Sequence, residues 1–303
     1  MNPRIGTVIV TYNSADVLGE CLRALGETKD VQLSTVVVAD NASRDDSVAV
    51  ARAAAQTLPV QVVEMGRNAG YAAAINAGIA AMDLNRLDAV MVLNPDCSVR
   101  PDTLVLLWEA LRRPGFGIAA PRLVNPDGSL QPTLRRMPTL GRALAEAVLG
   151  KLAGRVAGLG ELVTGEAEHA KSGPAAWATG AALLISVEAA RAAGPWDESF
   201  LLYSEETEFI LRAADRGWRL WYEPAAEVEH VGGESGTNPT LAALLVVNKV
   251  RLFSRRHGAV ASAAYYMIVL FGESARALAG RRISRAAVVW LLRPSRRLRA
   301  LGT

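Results

Sequence analysis

Short apolar runs alternate with amphipathic stretches over about the first 120 residues of the chain. The apolar runs are rich in β-branched residues and typical of buried parallel strands; they read IGTVIV, STVVVAD, VQVVEM, AVMVLN and FGIAAP. The stretches between them predict helices over residues 15–25, 45–56, 71–82 and 103–113. Strands that alternate with helices predict an α/β fold with a mainly parallel, twisted sheet, whose ligands bind at the carboxyl ends of the strands.

The alternation ends near residue 122, and the second half of the chain is less regular. Residues 150–175 are rich in glycine and alanine, and predict a mobile connection or a weak helix followed by a loop. Order returns with the strand-like AWATGAALLISV, an acidic helix over residues 205–216, and two strand-like runs, RLWYEP and EVEHVGG. We therefore predict a body over residues 1–257 and a separate helical tail over residues 258–303.

The tail is apolar at its start and basic throughout. Its longest apolar run, residues 259–271, is shorter than the roughly 20 residues that a membrane span needs, so it predicts a core or interfacial helix. From Lys249 onward, Glu273 is the only acid among many arginines. Because Trp290 and several leucines lie between these arginines, we expect a basic amphipathic helix that docks on an anionic membrane surface, and no nucleic-acid partner. The alternative is a helix packed on the body with a solvated basic face.

The composition of the chain is that of an ordinary globular protein. The chain has 303 residues and a net charge of +3, with 50% hydrophobic and 21% charged residues, as in a globular protein. Cys21 and Cys97 form no CxxC pattern, which argues against a disulfide framework or a zinc site and suits a reducing compartment. The N-terminal MNPRIGTVIVTYNS lacks the features of a signal peptide. These observations predict a cytoplasmic protein, peripheral to the inner face of the cell membrane.

Polar side chains follow the first two predicted strands where each strand ends. The first strand ends in VTYNS, with Thr11, Tyr12 and Asn13, and the second ends in ADNAS, with Asp40 and Asn41. Because these ends lie at the ligand-binding edge of the sheet, Asp40 could accept a hydrogen bond from a ring N–H of a pyrimidine base. Its alternative role is to cap the next helix.

The third strand leads into GRNAGYAAAINAG, which offers groups suited to a phosphate. Arg67 and Asn68 supply donors, Gly70 allows close backbone approach, and Asn76 follows in the next helix. This stretch lacks both the GxGxxG pattern and the GxxxxGK pattern, which argues against a dinucleotide-binding or P-loop protein.

The fourth strand ends in LNPDCS, where Asn94 and Asp96 flank a proline. Carboxylate and amide oxygens are suitable ligands for Mg²⁺ or Mn²⁺, which predicts a metal site; the alternative is an ordinary Asn-Pro-Asp turn. His230 closes a later strand, before a Gly-Gly loop that contains Ser235 and Thr237. It is a candidate metal ligand or phosphate donor, although a lone histidine is more often structural.

Three carboxylates, Glu205, Glu206 and Glu208, lie in one predicted helical turn within LLYSEETEFILRA. They can stabilise a helix N-terminus, with Ser204 as the N-cap. They can also supply the general base that takes a proton from a hydroxyl nucleophile. The residues alone leave both interpretations open.

In their order along the chain, VTYNS, ADNAS, RNAGYAAAIN, LNPD, SEETEF and HVGG resemble glycosyltransferase family 2, and most of all its bacterial rhamnosyltransferase-like subgroup. The resemblance covers about residues 5–257 and implies inverting enzymes with the GT-A (nucleotide-diphospho-sugar transferase) fold. It implies that Asp40 reads the nucleotide base and that Asp96, with His230 as a weaker partner, holds the metal ion. It also implies that Glu206 is the general base, in a position where the family usually has aspartate.

The resemblance extends to the division of the body. It implies a nucleotide-binding half over residues 1–122 and an acceptor half over residues 123–257. The aromatic ring of Trp196, near the acidic turn, could stack on a sugar face or belong to the core. The implied acceptor-side and supporting residues are Glu205, Glu208, Trp196, Asp197 and Gly180.

The implied reaction is the transfer of a single sugar in cell-wall or surface polysaccharide biosynthesis. The best candidates are dTDP-L-rhamnose as donor and a saccharide or polyprenyl-diphosphate-linked saccharide as acceptor. UDP- or GDP-linked galactofuranose, glucose or mannose could be donors on the same fold. A sugar nucleotidyltransferase would open with a glycine-rich basic loop, and a non-catalytic relative would have lost the carboxylates. A processive polysaccharide synthase would carry a QxxRW motif, which QPTLRRMP resembles only superficially.

Overall fold

Strands and helices alternate over the first 124 residues, as the sequence pattern predicts. The computed structural model describes residues 2–156, 158–232 and 238–293. Its strands are β1 (Arg4–Thr11), β2 (Gln32–Asp40), β3 (Val60–Glu64), β4 (Ala89–Leu93), β5 (Cys97–Val99), β6 (Phe116–Val124), β7 (Leu134–Arg135), β8 (Gly173–Ala175), β9 (Trp177–Ala178), β10 (Ala182–Ser186) and β11 (Arg219–His230). Its α-helices are α1 (Ala15–Gly26), α2 (Ser47–Ala54), α3 (Tyr71–Ala80), α4 (Thr103–Leu111), α5 (Leu140–Leu149), α6 (Glu166–His169), α7 (Val187–Ala193), α8 (Glu205–Asp215), α9 (Pro239–Arg256), α10 (Ala259–Leu278) and α11 (Arg282–Leu292). Short 3₁₀ helices cover Leu84–Arg86, Gly150–Arg155 and Glu198–Phe200.

The central sheet is mixed and has the strand order β3-β2-β1-β4-β10-β6-β11-β5, with β8 also paired to β11. The predicted parallel arrangement holds from β3 to β4, whereas β10 runs antiparallel to both β4 and β6. The carboxyl ends of the parallel strands meet at one edge, where Thr11 is the register partner of Asp40. Further along the sheet, β11 runs antiparallel to β5, and His230 lies opposite Cys97. The topology therefore brings Asp96 close to a histidine that is distant in sequence.

The apolar runs of the first half are buried because helices cover them. Every residue of β4 is buried, as is all of β1 after its first residue, which explains their continuous apolar sequences. Helix α3 packs closely on β1, since a Cβ atom at Gly78 would lie 2.6 Å from Val8 Cγ1. A larger side chain at Gly78 would push α3 away from the strand.

Among the described residues, the chain forms two compact units. The first comprises residues up to 134 together with 165–201 and 205–232, and it contains the central sheet. The second comprises residues 135–164 and 202–204 and the described residues from 238 onward. This division differs from the predicted boundary between residues 257 and 258, because α9 packs with α10 and α11.

The second unit is a helical cluster with its own apolar core. The Phe253 ring stacks on His257 at 3.8 Å and on Tyr265 at 3.9 Å between ring centroids, which joins α9 to α10. Trp290 is buried in the same cluster. The burial of Trp290 agrees with the alternative of a packed helix, and the docking of the tail on a membrane stays a prediction.

Two helices of the second unit, α5 and α9, were not predicted from the sequence. The segment 150–175 contains a 3₁₀ helix, α6 and β8. Residues 259–271 belong to the longer α10. Within the part of the chain that the structure describes, every helix falls short of the length or apolar character needed to cross a membrane.

Candidate active site

Asp96 and His230 lie side by side, as the pairing of β5 with β11 requires. Asp96 Oδ1 is 3.4 Å from His230 Nε2, and the Gly232 amide donates to Asp96 Oδ2 at 2.9 Å. Burial alone would raise the pKa of Asp96, but His230 and the Gly232 amide together lower it below its ordinary value. The Asp96 side chain is therefore an anionic oxygen ligand at neutral pH.

A glutamine fixes the tautomer of His230. Gln131 Oε1 lies 2.6 Å from His230 Nδ1, while Gln131 Nε2 donates to Asn125 Oδ1 at 3.1 Å. With this amide orientation, Nδ1 carries the hydrogen and the lone pair lies on Nε2. A proton on Nε2 would donate to the Asp96 carboxylate, which is the contact that lowers the pKa of Asp96, and a divalent cation held by the same two atoms would attract both groups in its place. The pair therefore fits a divalent metal ion, and Gln131 orients its imidazole ligand.

Cys97 is the third group close enough to contribute to this cluster. Its buried Sγ donates to Ala181 O at 3.5 Å, and burial raises the pKa of the thiol well above its ordinary value. A protonated thiol is a poor metal ligand. The predicted pair of Asp96 and His230 is therefore the better ligand set.

Tyr71 connects the metal pair to the acidic turn, and it was not among the predicted site residues. Its hydroxyl donates to Asn94 Oδ1 at 2.7 Å and lies 3.2 Å from Gly180 O. Asn94 Nδ2 in turn lies 3.4 Å from His230 Nε2. Burial, followed by the charge of Glu205 and smaller effects of Glu206 and other neighbours, raises the pKa of Tyr71 well above its ordinary value. The phenol therefore stays protonated and remains a donor at the centre of the site.

Gly180 lies against the proposed general base. A Cβ atom at Gly180 would come 2.8 Å from Glu206 Cβ, so only glycine lets the two backbones approach this closely. Glu205 is buried and Glu206 is half-buried. Through Tyr71 and Gly180, Glu206 is therefore held near Asn94, which follows β4. A carboxylate that activates a hydroxyl has to lie near the rest of the site in this way.

Glu208 is engaged elsewhere. Its carboxylate forms a two-pronged ion pair with Arg212, at 2.9 and 2.8 Å, and Arg212 also donates to Pro195 O at 2.9 Å. These contacts fix the start of α8 and give Glu208 a structural role. Ser204 has a φ of 75°, which is not the extended backbone typical of an N-cap.

Two of the predicted acceptor-side residues do not face a substrate. Trp196 is 2% exposed and stacks on Phe209 with ring centroids 4.5 Å apart, so it cannot lie on a sugar face. Of the two roles that the sequence leaves open for Trp196, these contacts favour a core aromatic. Asp197 accepts from the Ser199 amide at 3.0 Å and caps a 3₁₀ helix.

Asn76 is also held by structural contacts. Its Nδ2 donates to Trp196 O and to Glu198 Oε1, each at 2.9 Å, and its Oδ1 accepts from the Trp196 amide at 2.8 Å. The amide is therefore committed to the loop after α7, and the predicted contact with the nucleotide has no support from this geometry.

Asp40 lies at the predicted edge of the sheet and is buried. Its carboxylate accepts from Thr11 Oγ1 at 3.0 Å and from the Ser43 amide at 2.9 Å. It therefore links the ends of β1 and β2. Asp40 Oδ1 also accepts from Ser43 Oγ, so Oδ2 is the oxygen that can accept a further hydrogen bond. Asn13, at a φ of 51°, accepts from the Arg44 amide at 2.8 Å, while Tyr12 is half exposed.

The loop before α3 is held from two sides. Asn41 accepts from the Ala69 amide at 3.2 Å and donates to Gly70 O at 3.3 Å. Gly70 has a φ of 94°, and a Cβ atom there would come 2.5 Å from Leu201 O. Arg67 and Asn68 are exposed on this loop, where their donors can meet a phosphate. Ser235 and Thr237, in the loop after His230, lie outside the described residues.

The sequence of the first half matches a known family. A family model described as "Glycosyl transferase family 2" matches residues 7–157. An N-acetylglucosaminyl-diphospho-decaprenol L-rhamnosyltransferase of Mycobacterium tuberculosis is 32% identical over 250 residues, which cover 79% of this chain and 80% of the relative. A low-salt glycan biosynthesis hexosyltransferase of Haloferax volcanii is 29% identical over 51% of this chain and 46% of its own.

Solved structures share the fold. A mannosyltransferase from Pyrobaculum calidifontis, in complex with GDP-Man and Mn²⁺, has a TM-score of 0.60 and 19% identity, covering 99% of this chain and 84% of its own. Glucosyl-3-phosphoglycerate synthase from Mycobacterium tuberculosis, in complex with Mn²⁺ and UDP, has a TM-score of 0.55 and 17% identity, covering 84% and 80%. These likenesses confirm the predicted GT-A fold.

Proposed function

Because the chain belongs to glycosyltransferase family 2, we propose that it transfers a single sugar from a nucleotide-diphospho-sugar to a lipid-linked saccharide with inversion. The best candidate for the donor is dTDP-L-rhamnose, and for the acceptor a polyprenyl-diphosphate-linked saccharide. The mycobacterial relative is an N-acetylglucosaminyl-diphospho-decaprenol L-rhamnosyltransferase, which supports L-rhamnose as the sugar and a polyprenyl-diphosphate-linked saccharide as the acceptor.

One observation carries this proposal: Tyr71 lies between a metal-type pair and a carboxylate suited to be a general base. Its hydroxyl contacts Asn94 Oδ1 and Gly180 O, and Gly180 is the residue packed against Glu206. A sugar transfer needs positive charge at the leaving diphosphate and a proton acceptor at the incoming hydroxyl. On one side of Tyr71, the Asp96–His230 pair would hold the positive charge, and on the other side Glu206 would accept the proton.

On the donor side, Asp40 would accept from the ring N–H of the base, and Arg67 and Asn68 would donate to the diphosphate. Asp96 Oδ1 and His230 Nε2 would hold Mg²⁺ or Mn²⁺. The ionised carboxylate and the tautomer fixed by Gln131 support that assignment. A bound cation supplies charge that stabilises the departing diphosphate.

In the reaction, the acceptor hydroxyl oxygen attacks the anomeric carbon while the bond from that carbon to the diphosphate oxygen breaks. The Glu206 carboxylate takes the hydroxyl proton, and the nucleoside diphosphate leaves. Tyr71, held protonated, keeps Asn94 and Gly180 in place. One displacement of this kind inverts the configuration at the anomeric carbon.

We also propose that the protein works at the cytoplasmic face of the membrane, where a lipid-linked acceptor is found. The basic C-terminal helices would contact anionic lipids, since Arg281, Arg282 and Arg285 are exposed. In 258–293, the described part of the tail, the helices pack into the second unit, so the contact would come from their outer surfaces.

We expect the melting temperature to rise most with dTDP-L-rhamnose among dTDP-, UDP- and GDP-sugars, each tested with Mn²⁺. A ligand that binds only the folded state stabilises it, by about 2.7 kcal/mol at a hundredfold excess over Kd. Product formation with a lipid-linked saccharide should follow the same donor preference. If the melting temperature rose only with UDP- or GDP-sugars, dTDP-L-rhamnose would be rejected as the donor. Binding without turnover would favour a non-catalytic relative.

A further inference from the structure

Exposed apolar side chains are concentrated in the second unit. Among the described residues, the only large ones in the first unit are Tyr12 and Val231, although that unit is much the larger. The second unit exposes many, on α5, on the segment after it and on α10. A surface of this kind marks a contact with a partner or a lipid.

The clearest example is a stripe along the outer side of α10, here called the α10 stripe. It consists of Val260, Met267, Phe271 and Leu278, with the exposed Ala263 and Ala275 between them. Leu278 is 89% exposed, Val260 87%, Phe271 62% and Met267 59%. Their spacing of three, four or seven to eight residues places them on one side of a 20-residue helix, which is about 30 Å long.

The opposite side of α10 already has a partner. Tyr265 is buried against Phe253, and Gly272 lies close to α5, since a Cβ atom at Gly272 would be 2.8 Å from Ala147 Cβ. The folding of the second unit therefore leaves the apolar character of the α10 stripe unexplained.

The charges around the stripe identify what would cover it. The acids within residues 135–164 and 238–293 are Glu146, Glu161 and Glu273. Glu146 and Glu161 pair with Lys249 at 2.8 and 2.7 Å, and Glu273 pairs with Arg276 at 2.8 Å. Each of these acids is paired with a basic residue of the same unit, while Arg281, Arg282 and Arg285 just after α10 are exposed. The charge near the stripe is therefore positive.

From this arrangement we infer that the α10 stripe inserts into the interface of an anionic bilayer, with α10 lying in the plane of the membrane. Apolar side chains would enter the acyl boundary while the arginines after α10 meet lipid phosphates. A second copy of the chain fits less well, because a symmetric contact would bring the same arginines against one another. This insertion goes beyond the electrostatic contact of the basic helices, since the apolar side chains add a part of the binding that does not depend on charge.

Flotation of the full chain with phosphatidylcholine vesicles, with and without phosphatidylglycerol, tests the inference over a salt series. We expect binding to phosphatidylglycerol vesicles that falls as salt rises but persists in part at about 1 M, where the Debye length is about 3 Å. Met267→Ser with Phe271→Ser should remove the persistent part, lowering the partition coefficient roughly tenfold or more. Met267→Leu with Phe271→Leu, the matched control, should bind as the unaltered chain does.

Arg281→Ser with Arg282→Ser and Arg285→Ser should remove mainly the salt-sensitive part. Equal binding by the serine and leucine variants would overturn the inference. So would a dimer in solution that only the serine variant dissociates, because the stripe would then be an interface between copies. Calorimetric binding of nucleotide should be the same in every variant, so the result is independent of the proposed transferase chemistry.

A second inference concerns the loop that leads into the acidic turn. Leu201, Tyr203 and Ser204 have φ values of 63°, 69° and 75°, which are strained for residues other than glycine. The buried Asn248 of α9 donates from Nδ2 to Leu202 O at 2.8 Å and to Tyr203 O at 3.1 Å. We infer that Asn248 is a positioning residue, which holds this strained loop in the conformation from which Glu205 and Glu206 follow.

This second inference rests on the proposed role of Glu206, and a double-mutant cycle separates the two. Asn248→Leu should lower kcat about 10- to 100-fold through misplacement of the base, with nucleotide binding unchanged. In a Glu206→Gln background the same change should cost little more, because a base that is absent cannot be misplaced. An equal loss in both backgrounds would overturn the positioning role. A Glu206→Gln variant of normal turnover would overturn the proposed base instead.

Discussion

Replacing Asp96 by alanine is expected to weaken the binding of a nucleoside diphosphate in the presence of Mn²⁺ by at least about 10- to 100-fold. Mutating a residue that hydrogen-bonds to a metal ligand typically lowers metal affinity by about 10- to 100-fold, and removing a ligand itself should lower it at least as much. Fold stability should change little, since the Asp96 side chain is partly exposed and, among the described residues, accepts from one backbone amide outside its own turn, that of Gly232. Isothermal calorimetry of the purified chain with dTDP or UDP measures the effect.

Chelation supplies an independent comparison. The unaltered protein in EDTA should bind nucleotide as weakly as Asp96→Ala does in Mn²⁺, and the variant should be insensitive to EDTA. Asp102→Ala is the matched control, because Asp102 is an exposed aspartate in the same unit whose side chain makes no cap contact. His230→Ala should reduce turnover more than stability. Metal-independent binding that is unchanged in Asp96→Ala would remove this residue from the donor site.

Local chemistry explains which parts of the site could be predicted from the sequence. Asp40 ends β2 and Asp96 lies in the turn just after β4, and parallel strands place such positions at one edge of a sheet. Their neighbourhood therefore follows from the pattern of apolar runs. The contact of Asp96 with His230 does not, because it depends on the antiparallel pairing of β11 with β5.

Other site residues gave no signal of their own. Tyr71 is the first residue of a helix in the sequence, and only the folded chain brings its hydroxyl to Asn94. Gln131 lies in a loop, and only the folded chain brings it to His230. The sequence leaves the role of Trp196 open because an aromatic residue near an acidic turn suits either a sugar or a core, and packing on Phe209 favours the core.

The missed helix α9 did carry a signal. Asn238 accepts from the Thr240 amide at 2.9 Å, and Pro239 is the first helical residue, which is a common N-terminal pattern. The left-handed loop at Leu201, Tyr203 and Ser204 carried none, since it contains no glycine and is imposed by surrounding contacts. Residue propensities do not predict backbone strain of this kind.

Replacing Glu206 by glutamine is expected to lower turnover by about 10²–10⁴, the usual contribution of a positioned general base. Glutamine keeps the shape of the side chain and its packing against Gly180, but it cannot accept the proton of the acceptor hydroxyl. Nucleotide binding and melting temperature should therefore change little. Glu206→Asp should retain part of the activity, since an aspartate keeps the carboxylate and is the acid that the resemblance leads us to expect here.

The neighbouring carboxylates are the matched controls, because each can be changed to an amide of the same shape. Glu208→Gln should weaken the ion pair with Arg212 and lower the melting temperature more than kcat, since that pair fixes the start of α8. Glu205→Gln tests the charge next to Tyr71, and its loss of turnover should be smaller than that of Glu206→Gln. Steady-state kinetics of the three variants, with kcat separated from the KM for the donor, ranks them. If Glu205→Gln or Glu208→Gln lost more turnover than Glu206→Gln, the base would move to that position. If all three kept near-normal turnover, these carboxylates would serve only the N-terminus of α8.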